Sequence, residues 1–267
     1  MHVLVIYGWE TENAELASVI SEALGSTVFD VQQRLAGGSP IVLAKHVDLQ
    51  QILKLENALK QNGIPTLVVD AEEVQKRTTQ LIVSRFEIME SSLRIETKNG
   101  RKGEISFQDI HLLLPVTGVI RHSEKKTVTE RKFSLGKTLM TGGIPMSKKV
   151  EHQENVETVK HRKALYLYIR RLREPAVFHQ DELKFEDLGE AMKMSRELNF
   201  GFLLSEIQRL SPNAVYDDRL QKHIGQARLL GPTLRPETNL ELAVEILARS
   251  LRAERKGGIC VNILRNF

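Results

Sequence analysis

Val3-Leu4-Val5-Ile6-Tyr7, an apolar run at the start of the chain, leads straight into Gly8-Trp9 and the polar Glu10-Thr11-Glu12-Asn13. A short apolar run closed by glycine reads as a strand. Outward from it, residues 14–24 carry apolar side chains at helical spacing, and residues 27–35 and 40–47 read as two strands joined by Ala36-Gly37-Gly38-Ser39 and Pro40. A second helix spans 49–61, with Leu49, Ile52, Leu53, Leu55 and Leu59 close to one stripe and Asp48 at the N-cap; Gly63 and Pro65 close it before a strand over 64–70. The order β-α-β-β-α-β is the split βαβ plan. Folds of that kind serve many unrelated functions, so the plan alone assigns none.

The chain has 267 residues, 41% of them hydrophobic and 27% charged, which gives enough apolar material for real cores and argues against global disorder. Its net charge of +4 is uneven. Residues 1–79 hold 6 Lys/Arg against 10 Asp/Glu, or −4; residues 80–185 hold 20 against 13, or +7; residues 186–267 hold 12 against 11, or +1. A basic middle beside an acidic start points to an anionic partner for the middle, or to the acidic segment docking on it and masking it. Without a long apolar run or a secretory leader pattern, the expected location is the cytoplasm. The single cysteine, Cys260, lies between Ile259 and Val261 and reads as an apolar filler.

Composition shifts divide the chain into three expected modules: an α/β module over 1–79, a basic β-rich domain over 80–185 and a helical segment over 186–267. In the second, alternation from Ile82 to Ile95, the Asn99-Gly100 pair and the run from Ile105 to Leu114 describe a strand meander. Polar and basic residues dominate 118–160, with a turn at Thr141-Gly142-Gly143-Ile144-Pro145. Alternation returns over 164–172, and a strand-like segment follows over 176–185. The last third reads as helices over 199–210 and 239–251. The fold class is therefore α+β.

Ser84-Arg85-Phe86-Glu87-Ile88, Ser92-Leu93-Arg94-Ile95, the Asn99-Gly100 turn and Ile105-Ser106-Phe107-Gln108-Asp109-Ile110 resemble a stretch of bacterial pleckstrin-homology-like domains. The resemblance covers about thirty residues. It implies a bent β-barrel closed by a C-terminal helix, with the aromatic residue before the Asp-Ile pair packed inside, and a binding or scaffolding module for lipid headgroups or proteins. The first segment, through Ile41 to Ala44 and Asn62-Gly63-Ile64-Pro65, is similar to ferredoxin-like regulatory modules.

Gly136-Lys137-Thr138 has the ending of a P-loop, but the glycine required five residues earlier is Arg131. Gly142 and Gly143 with Lys148 and Lys149 make a better anion-binding candidate, supported by Lys125, Lys126, Arg131 and Lys132; converging amides and ammonium groups attract anions, although an exposed loop has the same composition. Tyr166 and Tyr168 share one strand face and offer stacking surfaces for nucleic acid. The histidines show no metal-ligand spacing, with His46 and His111 reading as structural or exposed, and no Gly-x-Ser-x-Gly element occurs. Tyr7, Gly8 and Trp9, where the first strand ends, form a candidate ligand or partner surface, against the alternative that Trp9 packs the start of the helix. No cofactor is implied. The expectation is a non-catalytic regulatory or adaptor protein that binds a protein or anionic partner through its basic centre; nucleic-acid binding, and an enzyme whose site forms only in three dimensions, are the alternatives.

Overall fold

The computed structural model describes residues 1–9, 14–77, 81–133, 147–172 and 174–257, with side chains described outside 120–160 and 256–257. The opening run forms β1 (His2–Ile6), the middle strand of a sheet ordered β2-β1-β3, with β2 (Ile41–His46) and β3 (Thr66–Asp70) both antiparallel to it. Its central place accounts for the unbroken apolar run. Val3 and Val5 enter one core while Leu4 and Ile6 enter another, because successive strand side chains point to opposite faces. Helices α1 (Ala14–Leu24), α2 (Val28–Leu35) and α3 (Leu49–Gln61) cover the Leu4 and Ile6 face through Ile20, Val31, Leu35, Ile52 and Leu59.

Residues 27–35, expected as a strand, are α2. Thr27 caps this helix: its hydroxyl oxygen accepts from the Asp30 amide at 3.1 Å, and the hydroxyl donates to the Asp30 carboxylate at 2.7 Å. Val31 and Leu35, four apart, are buried, and Phe29 is left exposed. Val28, Phe29 and Val31 are strand-favouring residue types, but such preferences yield to packing. The small sheet therefore has three strands among the described residues, not the four of a ferredoxin-like unit, and the order is β-α-α-β-α-β. A short helix, α4 (Ala71–Lys76), leaves β3 directly, capped by Asp70.

A second, mixed sheet has the order β10-β7-β8-β9-β4-β5-β6. Its strands are β4 (Leu81–Ile88), β5 (Ser92–Thr97), β6 (Lys102–Ser106), β7 (Ile110–Phe133), β8 (Ser147–Ile169), β9 (Ala176–His179) and β10 (Val215–Tyr216). The β4-β5-β6 meander and the turn at Asn99-Gly100 are as the alternation suggests, Gly100 having a φ of 74° and its amide donating to the Thr97 carbonyl at 2.8 Å. The basic stretch 118–160 is strand over 118–133 and 147–160. Residues 176–185 differ from the single strand expected: β9 ends at His179, and Leu183 and Phe185 are buried beyond it.

Three helices follow: α5 (Arg196–Leu210), α6 (His223–Leu230) and α7 (Pro236–Gly257). The Ser195 side chain accepts from the Leu198 amide at 3.2 Å, which starts α5 ahead of its apolar stripe. One face of the large sheet, through Phe86, Leu113, Leu165, Leu167 and Phe178, packs on Phe200, Leu203 and Ile207 of α5. The opposite face, through Leu112, Leu114, Tyr166 and Tyr168, shares a core with Val3, Val5 and Val69 of the small sheet and with Leu229, Leu242, Ile246 and Leu247 of α6 and α7. By contacts the chain forms two compact units, residues 1–118 with 162–267, and residues 119–161. The second unit contains the distal parts of β7 and β8.

Candidate anion-binding cleft

Helix α7 carries Glu241, Glu245, Arg249, Arg252 and Arg255 at spacings of four, four, three and three, a polar line on one side of the helix. The opposite side, Leu242, Ala243, Ile246, Leu247 and Ser250, is buried. Acidic residues occupy the first part of the polar line and arginines the last, which matches the partial charges at the two ends of a helix. Asn239, with a φ of −126°, breaks the helical backbone before this line begins, its side-chain amide donating to the Arg235 carbonyl at 2.9 Å.

The arginine end of α7 forms one wall of a cleft of about 1060 Å³, to which β7 contributes His111, β8 contributes Ile169 ahead of Arg170, and α4 contributes Glu73 ahead of Arg77. Among the described residues, the cationic side chains lining it are arginines: 77, 170, 249, 252 and 255. Against these five stand three carboxylates, Glu73, Glu174 and Glu245, so the lining carries 5 − 3 = +2. Glu245 accepts from Arg77 at 3.0 Å and from Arg249 at 2.5 Å, and Glu73 pairs with Arg77 at 3.0 Å. These pairs hold Arg77 against its own desolvation, so its guanidinium stays charged. Arg170, Arg252 and Arg255 have no carboxylate within ion-pair distance among the described residues.

Arg252 is held on two sides. Its guanidinium lies over the Tyr168 ring at 4.4 Å from the centroid, and its Nε donates to His111 Nε2 at 3.2 Å. His111 can accept because its pKa is pushed down to about 4, by burial first and then by the charges of Arg252, Arg255 and Arg170. The ring is neutral at pH 7, and with Nε2 accepting, its proton sits on Nδ1. That Nδ1 and Arg252 Nη2 are both buried with no hydrogen-bond partner among the described residues. Two buried donors thus lack an acceptor. Arg255 is tied differently, donating to the carbonyls of His111 at 3.2 Å and Asn213 at 3.0 Å.

The residues singled out in the sequence are distributed elsewhere. Lys125, Lys126, Arg131 and Lys132 are on β7 and Lys148 and Lys149 on β8, in strands, while their side chains, together with Gly142 and Gly143, lie outside the described residues. Tyr166 and Tyr168 do share a strand face, but it is a core face: both are buried, and the Tyr166 hydroxyl donates to Glu241 at 2.6 Å. They offer no free surface to a base. His111, read as structural, fixes the orientation of Arg252. The stripe on α7 was visible in the spacing of residues 241–255, although only the apolar side of that helix stands out on reading; its pairing with His111, 141 residues away, has no local signal.

Tyr7, Gly8 and Trp9 sit together at the end of β1, each half-buried. Trp9 packs against the core of the small sheet and its helices. The Gly8 amide donates to Ser39 Oγ at 2.8 Å, and that hydroxyl donates to Glu254 at 3.3 Å. Arg219, paired with Asp217 at 2.8 Å, donates to the Ser39 carbonyl. Burial raises the Glu254 carboxyl above its ordinary value, opposed by the Ser39 hydrogen bond and Arg219. The network joins the end of β1 to α7.

Among the described residues no group of three or more His, Cys, Asp or Glu side chains is placed to hold a metal ion, and no helix is long and apolar enough to cross a membrane. No family model, curated protein or solved structure matches the chain.

Proposed function

We propose that this chain is a non-catalytic regulatory or adaptor protein, and that the arginine-lined cleft receives an anionic group of its partner. The observation that carries this reading is the positive charge of the cleft lining among the described residues, with Arg252 held in place by Tyr168 and His111. Binding rather than chemistry is favoured because the titratable side chains there are already committed. Glu73 and Glu245 pair with arginines, Glu174 is engaged, and His111 serves as an acceptor. Among the described residues no uncommitted base or nucleophile lines the cleft with the arginines, as a reaction at an anionic substrate requires.

Thermal unfolding at constant ionic strength, with chloride replaced stepwise by phosphate, sulfate, citrate or benzoate, tests the reading. A ligand that binds only the folded state raises Tm in a saturable way. The expected result is such a rise with at least one of these anions, lost on replacing the exposed Arg170 by Glu. A Tm that depends on ionic strength alone sinks the reading.

Nucleic-acid binding is a second reading, favoured by residues 119–161. They form a separate compact unit containing parts of two neighbouring strands, and their sequence holds 9 Lys/Arg against 5 Asp/Glu, or +4. Two-stranded ribbons fit a DNA groove. Anisotropy of labelled duplex DNA and RNA over a salt series tests it; affinity that falls steeply with salt supports it, and no binding at low salt removes it.

A further inference from the structure

We propose that the group bound in the cleft is a phosphate monoester on an apolar or aromatic body, held by the guanidinium of Arg170 with the charge of Arg252 beside it; the proposal rests on the anion-binding reading above and names its ligand class.

Three features of the cleft select this chemistry. Among the described residues its cations are all arginine, although lysines are nearly as numerous in the chain. A planar guanidinium presents two parallel N–H groups to two oxygens of one anion, whereas an ammonium acts as a point charge. Arg170 is exposed at this wall, and Arg252 beside it is already oriented, since the Tyr168 face and His111 Nε2 fix its plane.

The second feature is the magnitude of the charge. Among the described residues the lining holds five arginines against three glutamates, an excess of +2. A carboxylate leaves half of that excess in place, while a phosphate monoester carries about −1.5 to −2 at pH 7 and neutralises it. The third is the remaining wall: Leu112, Ile169, Leu172, Val215 and Leu251 line the same cleft. Of these, Leu172 is exposed and Val215 and Leu251 are half-buried, and bare inorganic phosphate leaves those three facing water. At about 1060 Å³ the space is slightly larger than most small-molecule sites, which run from roughly 300 to 1,000 Å³, and exceeds what a bare phosphate fills.

Phenyl phosphate and benzoate present the two anion chemistries on the same ring, and isothermal titration of the full chain with each decides between them. Phenyl phosphate should bind at least about tenfold more tightly than benzoate. Arg252→Lys, which keeps a charge but not the guanidinium plane held by Tyr168 and His111, should lose several-fold in phenyl phosphate affinity. Arg170→Gln, at an exposed position where folding is not at risk, should weaken the same probe several-fold. Cosedimentation with phosphatidylcholine vesicles containing phosphatidic acid separates the sources of the group. Vesicle binding competed by phenyl phosphate assigns a lipid headgroup, and phenyl phosphate binding without vesicle binding assigns a soluble ligand.

Benzoate bound as tightly as phenyl phosphate overturns the phosphate inference and leaves an anion cleft standing. Phenyl phosphate affinity unchanged in both Arg252→Lys and Arg170→Gln overturns the placement. Failure of both probes, together with no anion raising Tm, overturns the cleft as a binding site altogether.

Discussion

At the level of single residues, burial and three neighbouring arginines keep His111 neutral near pH 7. Its ordinary value is 6.5 and its folded value about 4, so between those limits the unfolded chain binds a proton that the folded chain lacks. The contribution of His111 to stability is therefore fully present above about pH 6.5 and is lost as pH falls toward 4. Thermal unfolding at pH 7.5 and 5.5 should show a loss in the wild-type protein and a smaller one in His111→Asn. Some slope remains in the variant because burial also lowers the pKa of His179. In the core, Phe178 on β9 is fully buried, and Phe178→Ala should cost about 3–5 kcal/mol in chemical denaturation. The strand character of residues 3–6 was legible because a run of apolar side chains is a local property. The role of His111 was not, since both its neutrality and its bond to Arg252 depend on residues distant in the chain.

At the level of elements, the difference over 27–35 has a direct test. If Thr27 caps a helix, Thr27→Ala should lower stability by about 1 kcal/mol through the lost hydrogen bond to the Asp30 amide; in a strand the same change at an exposed position has little effect. Glycines give a second pair of outcomes. A Cβ at Gly225, in α6, would stand 2.0 Å from the Arg219 carbonyl oxygen, so Gly225→Ala forces the backbone apart and should cost about 1–3 kcal/mol or more. At Gly201, in α5, a Cβ meets nothing within 4 Å, and Gly201→Ala should raise stability by about 0.5–1 kcal/mol. Urea titrations of the two variants, read against the wild-type midpoint, check both signs. Helix periodicity made α3, α5 and α7 readable. Residues 27–35 mix helix and strand signals, and the Thr27 cap decides between them.

At the level of the whole molecule, the segments that charge and composition separate are joined through their cores. Val3, Val5 and Val69 share one hydrophobic cluster with Leu114, Tyr166 and Leu247. Removing residues 1–79 therefore uncovers this cluster and should abolish cooperative unfolding, whatever the electrostatic relation of the acidic segment to the basic one. Residues 119–161 are a unit of their own by contacts, and replacing them with a short turn should leave a cooperatively folding chain by circular dichroism. The same replacement separates the two binding readings: phenyl phosphate binding in the cleft should persist, and any duplex binding that depends on residues 119–161 should disappear.

The sequence by itself determined the α+β class, the first strand, most helices, the β4-β5-β6 meander with its Asn99-Gly100 turn, and the uneven charge. Each is written in neighbouring residues, as periodicity, a cap, a turn pair or a count. Only the tertiary structure decided that Tyr166 and Tyr168 face a core, that β1 is covered on both sides, and that the arginines of α7 meet His111 and Arg170 in one cleft. Those facts depend on which strand face meets which helix face, and burial and electrostatic pairing arise only when segments far apart in the chain are brought within a few ångströms of one another.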